Sequence, residues 1–296
     1  MITILTPTYN RAYILKKAFD SLSGQTCFDF EWIIVDDGST DDTEHLVTSW
    51  GIMGLPFEIR YLKQQNGGKH RAVNRGSREA RYDYILILDS DDHLTSNAVE
   101  KIHGWIKTID GKADFAGIAG LRGWINKEGH IGGAGDGSAY IDAKNTERRK
   151  YNLSGDKAEV YKTEILRKFP FPEFENEKFL SEHVVWDSIA DAGYKIRWFN
   201  DVIYKCEYLE DGLTKNTSYT QQQNNFEGYT LSAKIRINHE PFPWSYYVIG
   251  TYYHVAMSKG KDKKSVKQAL DINSLQLLLG NILFQVNALR KKCKKR

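Results

Sequence analysis

The order of apolar and polar positions in the first 120 residues predicts alternating strands and helices. Short apolar runs predict four strands, namely "ITILTP", "EWIIVDDGS", "PFEIRYLKQ" and "YDYILILD". Helical patterns follow each of them, namely "RAYILKKAFDSLSGQ", "DDTEHLVTSW", "GGKHRAVNRGSREA" and "TSNAVEKIHGWIKTI". Nearly continuous apolar strands that alternate with helices indicate a mainly parallel sheet with helices on both faces. The predicted class is therefore α/β.

The pattern loosens after this region and returns in shorter pieces. Between Gly120 and Gly155 the pattern is irregular, and the polar, glycine-rich segment "NKEGHIGGAGDGS" predicts a loop over the site that a ligand would order. "LSEHVVWDSIADAGYK" predicts a helix that stops at Gly193, and "KIRWFNDVIYKCEYL" predicts a strand or hairpin. We therefore expect an α/β domain over residues 1–215 and a helical region over residues 216–296 with a basic amphipathic tail.

Three polar clusters follow predicted strands at the point where each strand ends. They span Pro7 to Arg11, Asp36 to Asp42 and Asp89 to Asp92. Ligands of open α/β sheets bind beyond the carboxyl ends of the strands. We therefore expect the three clusters to form one site.

Asp89 and Asp91 flank Ser90 directly after a buried strand. On an extended chain, carboxylates two residues apart point the same way, which suits Mg²⁺ or Mn²⁺. Such an ion keeps open positions that substrate phosphates fill, so the pair predicts a diphosphate ligand. The alternative is a solvated turn in which Asp92 caps the next helix.

Asp36 and Asp37 end the second predicted strand in "VDDGSTDDT". One of them is placed to accept a hydrogen bond from a base or a ribose, as acids after a second strand do. The first strand is not followed by G-x-G-x-x-G, which argues against a dinucleotide cofactor. The alternative is an Asx-turn, with Asp41 or Asp42 capping the next helix.

Charge is distributed unevenly along the chain. Residues from Val255 to Arg296 include eleven Lys or Arg and two Asp, a net charge of +9, which leaves −6 for the rest of a chain of net +3. Without a nucleic-acid motif, this tail favours an anionic membrane surface over RNA or DNA. Three distant cysteines indicate a reducing compartment, and the N-terminal segment is typical of a strand and not of a signal peptide.

The last predicted helix carries apolar residues at alternating steps of three and four and ends in "RKKCKKR". This pattern fits a helix lying on a membrane surface. It fits equally a helix packed on the body or on a second subunit. The apolar positions are Ile272, Leu275, Leu279, Ile282, Val286 and Leu289.

Four motifs in one order resemble those of family 2 glycosyltransferases: "TPTYNR", "VDDGSTDDT", "NGGKHRAVNRG" and "LDSDD". The resemblance covers roughly the first 120 residues. It implies a GT-A fold with a Rossmann-like sheet, and an inverting enzyme that uses a nucleotide-diphosphate sugar, usually UDP-linked, with Mg²⁺ or Mn²⁺. It further implies nucleotide-sugar contacts from one set of residues, with Asp89 and Asp91 as metal ligands. These residues are Pro7, Tyr9, Arg11, Asp36, Asp37, Asn66, Gly68, Lys69, Asp89 and Ser90.

Similar enzymes place a Glu-Asp pair at the start of a helix after the variable loop, often with the Asp as general base. Here the matching segment is "SEHVVWD", so His183 stands in place of the Asp. Inversion needs a base to take the acceptor's proton. The expected order of candidates is Glu182, then His183, then Asp187.

The expected function is metal-dependent transfer of a sugar to a hydroxyl of a glycan or a lipid-linked acceptor. The expected process is surface polysaccharide assembly. A sugar nucleotidyltransferase and a non-catalytic nucleotide- or carbohydrate-binding module are the alternatives. The expected location is the cytoplasm, with peripheral contact at the inner membrane face or association into a homo-oligomer as further expectations. No nucleic-acid partner is expected.

Overall fold

The computed structural model describes residues 1–207 and 219–293, which divide into two compact units. The first unit holds Met1–Phe171 and Val185–Leu209, and the second holds Pro172–Val184 and Glu210–Arg296. The predicted boundary at residues 215 and 216 lies outside the described residues, as do residues 294–296 of the predicted basic tail. The division into 1–215 and 216–296 therefore stays a prediction.

The first unit is built on a mixed sheet, with nine strands among the described residues. Its parallel half is formed by β1 (Ile2–Thr8), β2 (Phe30–Asp36), β3 (Glu58–Lys63) and β4 (Tyr84–Ile87), in the order β3-β2-β1-β4. The other strands are β5 (His93–Leu94), β6 (Phe115–Trp124), β7 (Tyr140–Ala143), β8 (Lys157–Lys162) and β9 (Lys195–Cys206). β8 lies antiparallel between β4 and β6, and β6 lies parallel to β9. The predicted parallel arrangement thus holds for the first four strands, and β8 makes the whole sheet mixed.

Helices cover both faces of the sheet, as the apolar strands predict. They are α1 (Ala12–Ser23), α2 (Thr43–Gly51), α3 (Lys69–Glu79), α4 (Ala98–Lys107), α5 (Thr163–Lys168) and α6 (His183–Asp191). Ile4 and Trp32 belong to a core cluster with residues of α1, α2 and α4. Leu5 points to the opposite face, because neighbouring strand residues alternate, and there it meets α3. Helices therefore cover the faces of the sheet, which leaves the carboxyl ends of its strands for a ligand.

Gly76 lets α3 approach the sheet closely. A Cβ atom at this position would lie 2.1 Å from Leu5 Cδ1, which is buried. We expect Gly76→Ala to lower the free energy of unfolding by about 1–3 kcal/mol through overpacking. Urea denaturation measures this, with Gly104→Ala in α4 as the control, because no atom lies within 4 Å of a Cβ built there. Equal stability of the two variants would contradict the close packing.

The range from Gly120 to Gly155 holds strand residues on either side of the predicted loop. β6 continues to Trp124, β7 follows, and the glycine-rich segment is paired with the chain that comes after it. Gly133 N donates to Ser154 O at 3.0 Å, and Gly135 N donates to Asn152 O at 3.0 Å. Residues 126–138, the predicted loop "NKEGHIGGAGDGS", hold no helix or strand, and its position over the site stays a prediction. Its glycines permit close backbone pairing as well as turns.

The second unit is helical. Its helices are α7 (Tyr219–Asn224), α8 (Phe226–His239), α9 (Trp244–Ser258), α10 (Lys263–Leu270) and α11 (Ser274–Cys293). The Glu177 carboxylate accepts hydrogen bonds from Glu227 N at 2.7 Å and Gly228 N at 2.8 Å at the start of α8. This contact explains why Pro172–Val184 groups with the C-terminal helices.

α9 and α11 cross at two glycines. A Cβ atom on Gly250 would lie 2.2 Å from Gly280 O, so the two backbones touch at this point. Within the described chain no single helix has the length and apolar content to cross a membrane, although α10 and α11 to Arg290, bent by 102°, pass this test as a pair. The structure thus confirms a helical C-terminal extension.

Candidate functional site

The carboxyl ends of the first four strands bring the three sequence clusters to one edge of the sheet. Asp37 N, just after β2, donates to Thr8 O at the end of β1 at 2.8 Å. Gln64 N, just after β3, donates to Asp36 O at 2.9 Å. Leu88 N, just after β4, donates to Leu5 O at 2.9 Å. The predicted convergence is therefore present in the fold.

The residues from Pro7 to Arg11 differ in how far they are exposed at this edge. Pro7 is buried within β1, whereas Tyr9 is exposed and Arg11 is half-buried. Asn10 takes a left-handed backbone with φ 52°, and its N–H donates to Ser39 Oγ at 2.8 Å. The first cluster is thereby tied to the loop that follows β2.

Asp41 also ties the first two clusters together. Its Oδ2 accepts from Ala12 N, the first residue of α1, at 3.0 Å, and its Oδ1 accepts from Thr43 Oγ1 at 2.6 Å. These hydrogen bonds lower the pKa of Asp41, although burial opposes them. Asp42, at the N-cap of α2, makes no side-chain capping bond. The cap predicted for Asp41 or Asp42 therefore comes from Asp41.

Asp37 holds the loop that precedes α3. Its Oδ1 accepts from Gly67 N at 2.9 Å and from Gln64 Nε2 at 2.8 Å. Its Oδ2 accepts from Gly68 N at 2.7 Å and from Asn66 Nδ2 at 3.1 Å. A carboxylate has about four acceptor positions, so these bonds saturate it. The predicted contact of Asp37 with a base stays a prediction and needs one of these bonds to be exchanged.

Asp36 is fully buried and organises the same turn. Its Oδ1 accepts from Ser39 N at 2.7 Å, and its Oδ2 accepts from the Tyr61 hydroxyl. Burial and this hydrogen bond raise the pKa of Tyr61 well above its usual range. Asp36 thus stabilises the turn after β2 from its buried side, while Asp37 binds the loop before α3.

The aspartates after β4 lie in a turn and not on an extended chain. Asp92 N donates to Asp89 O at 3.1 Å, which closes the turn around Ser90. The extended geometry predicted for Asp89 and Asp91 is therefore wrong, because the strand ends at Ile87. Asp92 is also not a cap of α4, since it is buried and Asn97 occupies the N-cap.

Two protein cations lie against this turn. Lys69 Nζ, at the start of α3, lies 2.5 Å from Asp89 Oδ1. Arg122 Nη1, on β6, lies 3.6 Å from Asp89 Oδ2 and 3.8 Å from Asp92 Oδ2. The Arg122 guanidinium also sits 4.2 Å from the centre of the Tyr204 ring. Lys69 and Arg122 therefore supply part of the positive charge that these clustered carboxylates need.

The three carboxylates differ in how well their charge is compensated. Burial would raise the pKa of Asp89, but Lys69 and Arg122 together bring it below its usual range. Burial and then repulsion from Asp89 raise the pKa of Asp91. Burial and the same repulsion raise the pKa of Asp92 to about 8. The chain's own cations thus leave the ionised forms of Asp91 and Asp92 under-compensated, and Asp92, with a pKa of about 8, is mostly protonated at neutral pH.

This arrangement fits a hard divalent cation. Asp91 is partly exposed at the edge, its carboxylate offers oxygen ligands, and its raised pKa marks a place where added positive charge would stabilise the ionised form. Among the described residues, the buried Thr8 hydroxyl at the same edge has no hydrogen-bond partner. Within the described ranges, the only group of three His, Cys, Asp or Glu ligand atoms close enough for one ion is Cys27, Asp29 and His103, which lies away from this edge. An ion at the edge would therefore rest on one or two carboxylates and on its substrate.

Of the candidate bases, Glu182 and His183 belong to the second unit, and Asp187 belongs to the part of α6 in the first unit. Glu182 lies half-buried directly before α6, in the predicted position at a helix start. His183 Nδ1 lies 2.7 Å from Ser181 Oγ, and its Nε2 lies 3.2 Å from Ser232 Oγ. Asp187 is buried, and its Oδ1 accepts from Asn145 Nδ2 at 2.6 Å. Both ring nitrogens of His183 are thus engaged.

Arg122 and Tyr204 are missing from the residues predicted by sequence. Tyr204 is buried and Arg122 half-buried at the aspartate turn, and the Tyr204 hydroxyl accepts from Asp89 N at 2.9 Å. A signal for Arg122 was present, since it is the only charged residue in the apolar run "FAGIAGLRGW". A lone arginine in a buried strand requires an anion, but the pattern of apolar positions becomes irregular after Gly120 and does not predict this strand.

Comparison with known families identifies the chain. The sequence profile of the family "Glycosyl transferase family 2" matches residues 3–169, more than half of the chain. The chain belongs to this family. The predicted recognition, GT-A fold and enzyme class are therefore confirmed, and the protein is a glycosyltransferase.

Its relatives in sequence include two named bacterial glycosyltransferases. It is 27% identical over 269 residues to the Campylobacter jejuni GalNAc(5)-diNAcBac-PP-undecaprenol beta-1,3-glucosyltransferase, which covers 85% of this chain and 82% of that protein. It is 33% identical over 115 residues to Streptococcus pneumoniae glycosyltransferase GlyA, a match that covers 39% of this chain and 16% of GlyA. The chain thus spans most of the first relative and a small part of the second.

Solved structures share its fold. Staphylococcus aureus TarS 1–349 in complex with UDP-GlcNAc matches with a TM-score of 0.63 and 20% identity, over 94% of this chain and 79% of TarS 1–349. The Pyrobaculum calidifontis mannosyltransferase PcManGT, in complex with GDP-Man and Mn²⁺, matches with a TM-score of 0.53 and 16% identity, over 96% of this chain and 86% of that one. At these identities the likeness concerns the fold.

Proposed function

We propose that this glycosyltransferase moves a sugar from a nucleotide-diphosphate sugar, with Mg²⁺ or Mn²⁺ held at Asp91 and Asp89, onto a hydroxyl of a glycan or lipid-linked acceptor. The observation that carries the proposal is the charge arrangement at the sheet edge. Lys69 and Arg122 compensate Asp89, and Asp91 beside them keeps an under-compensated, partly exposed carboxylate. A metal–diphosphate matches this alternation of positive and negative groups.

The start of α3 supplies the phosphate side of the site. Gly68, with φ 98°, occupies the N-cap, and Lys69 is the first helical residue. The positive dipole end of a helix N-terminus favours an anion, and the Lys69 ammonium adds a full charge. We infer that this helix start and Lys69 hold the diphosphate, while the bound ion neutralises the charge that develops on the departing nucleotide.

The relatives support a UDP donor and a lipid-linked acceptor. TarS binds UDP-GlcNAc, PcManGT binds GDP-Man with Mn²⁺, and the name of the C. jejuni relative describes an undecaprenol-linked glycan. Membership of the family supports sugar transfer over the two alternatives, a nucleotidyltransferase and a non-catalytic module. Among donors we favour UDP-sugars, and among locations a cytoplasmic one close to such an acceptor.

A screen of donors tests the proposal. We expect one UDP-sugar to raise the melting temperature in the presence of Mn²⁺ and not in the presence of EDTA, because a ligand of the folded state stabilises it by about 2.7 kcal/mol at 100 times its Kd. The same donor should be turned over slowly to free UDP. Binding of several donors without any release of nucleotide, with lipid-linked acceptors present, would contradict a transferase.

The general base is tested by two neutral substitutions. We expect Glu182→Gln to lower kcat about 10²–10⁴-fold, the usual contribution of a general base, with little change in donor KM. His183→Asn should cost less than about tenfold in kcat, since Ser181 and Ser232 already engage both ring nitrogens. Initial rates at saturating donor measure both. A larger loss of kcat for His183→Asn would reverse the assignment.

A further inference from the structure

The helix α11 has two apolar faces, of which one is packed and one is exposed. Leu277 and Gly280 are buried, and Gly280 touches α9. On the opposite side six aliphatic residues are exposed, with relative exposures from 37% to 63%. They are Leu275, Leu278, Leu279, Ile282, Val286 and Leu289.

These six residues form one continuous stripe. At about 100° per residue they fall within a sector of about 100°, and no polar residue of Ser274 to Arg290 falls inside it. Five of the six belong to the stripe predicted from sequence, and Leu278 is an addition. Ile272, the sixth predicted member, precedes the helix and packs on the core of the second unit instead. A soluble surface rarely exposes such a row, so the stripe marks an interaction surface.

The charges around the stripe indicate what kind of partner binds it. No Asp or Glu occurs after Asp271, and six of the last seven residues are Lys or Arg. At the other end, Lys261, Lys263 and Lys264 are exposed, and Lys267 Nζ lies 3.0 Å from Ser274 Oγ at the first residue of α11. An apolar row with cations at both ends matches acyl chains beneath anionic headgroups. A second copy would bring two segments of net charge +9 together, which opposes self-association through this face.

We propose that α11 lies flat on an anionic lipid bilayer, with this stripe inserted among the acyl chains and the flanking lysines and arginines against the headgroups. This inference is independent of the proposed reaction. It would place the enzyme where lipid-linked acceptors lie.

Flotation of the full chain with vesicles tests the inference. We expect the protein to float with vesicles of phosphatidylcholine and phosphatidylglycerol, and not with phosphatidylcholine alone. Leu278→Asp with Ile282→Asp should weaken this binding about tenfold or more, because two buried aliphatic side chains become charged. Lys263→Glu with Lys264→Glu should weaken it by about tenfold through loss of headgroup attraction, and added salt should do the same.

Ile52→Asp with Met53→Asp is the matched control. These residues are exposed at 85% and 60% in the first unit, against 56% and 45% for Leu278 and Ile282, so the pair removes at least as much exposed apolar surface and adds equal charge elsewhere. It should bind vesicles as the unaltered protein does, and circular dichroism verifies that all variants fold. Unchanged binding of the Leu278 and Ile282 variant, or equal binding to neutral vesicles, would overturn the inference. So would a dimer in light scattering that this variant dissociates. Nucleotide release with a soluble donor reports on the reaction separately.

Discussion

Asp91→Ala is expected to lower kcat/KM about 10²-fold or more and to remove the dependence of donor binding on Mn²⁺. The reason is that Asp91 is the partly exposed carboxylate at the sheet edge whose charge the chain leaves under-compensated. A positioned charge at a reacting diphosphate is typically worth this much. Nucleotide release and the Mn²⁺-dependent shift in melting temperature measure the two effects.

In the absence of metal the same substitution should leave stability unchanged or slightly higher. Repulsion from Asp89 disfavours the ionised Asp91 side chain, so its removal relieves an unfavourable interaction. Asp83→Ala, before the other end of β4, is the control, since its exposed side chain lies away from the edge. If Asp91→Ala kept its response to Mn²⁺, the metal would have to lie elsewhere.

Arg122→Met is expected to lower the free energy of unfolding by about 3–5 kcal/mol, because it leaves the half-buried Asp89 carboxylate and the buried Asp92 side chain short of a cation. Its side chain contacts Asp89 and Asp92 and lies over Tyr204, and its Nε donates to Lys157 O at 2.9 Å. Urea denaturation measures the loss. Arg122→Lys should recover part of it, since a lysine keeps the charge without the planar fork.

Combining Arg122→Met with Asp92→Asn tests the pairing directly. If the arginine compensates Asp92, the double variant should lose less stability than the sum of the two single changes. Arg81→Met, which breaks the exposed ion pair with Glu58 at 2.7 Å, is the matched control and should cost under about 1 kcal/mol. Equal costs for Arg122→Met and Arg81→Met would show that Arg122 has no such role.

The sequence predicted the parallel half of the sheet and the position of the site. Apolar runs gave β1 to β4, and the polar clusters after them lie at one edge, because parallel strands end on the same side. Four family motifs then indicated the enzyme class, which the family comparison confirms. The assignment of single residues to base, diphosphate and acceptor stays a prediction.

Local pattern alone determined which residues follow each strand and which share a face of α11. Only the tertiary structure decided that Lys69 and Arg122 neutralise Asp89, that β8 enters antiparallel, and that the α11 stripe is exposed. Periodicity fixes the direction of a side chain along its own helix or strand. What meets that side chain depends on chain segments distant in sequence, as Arg122 on β6 and Asp89 after β4 illustrate, and their encounter is set by packing of the whole sheet.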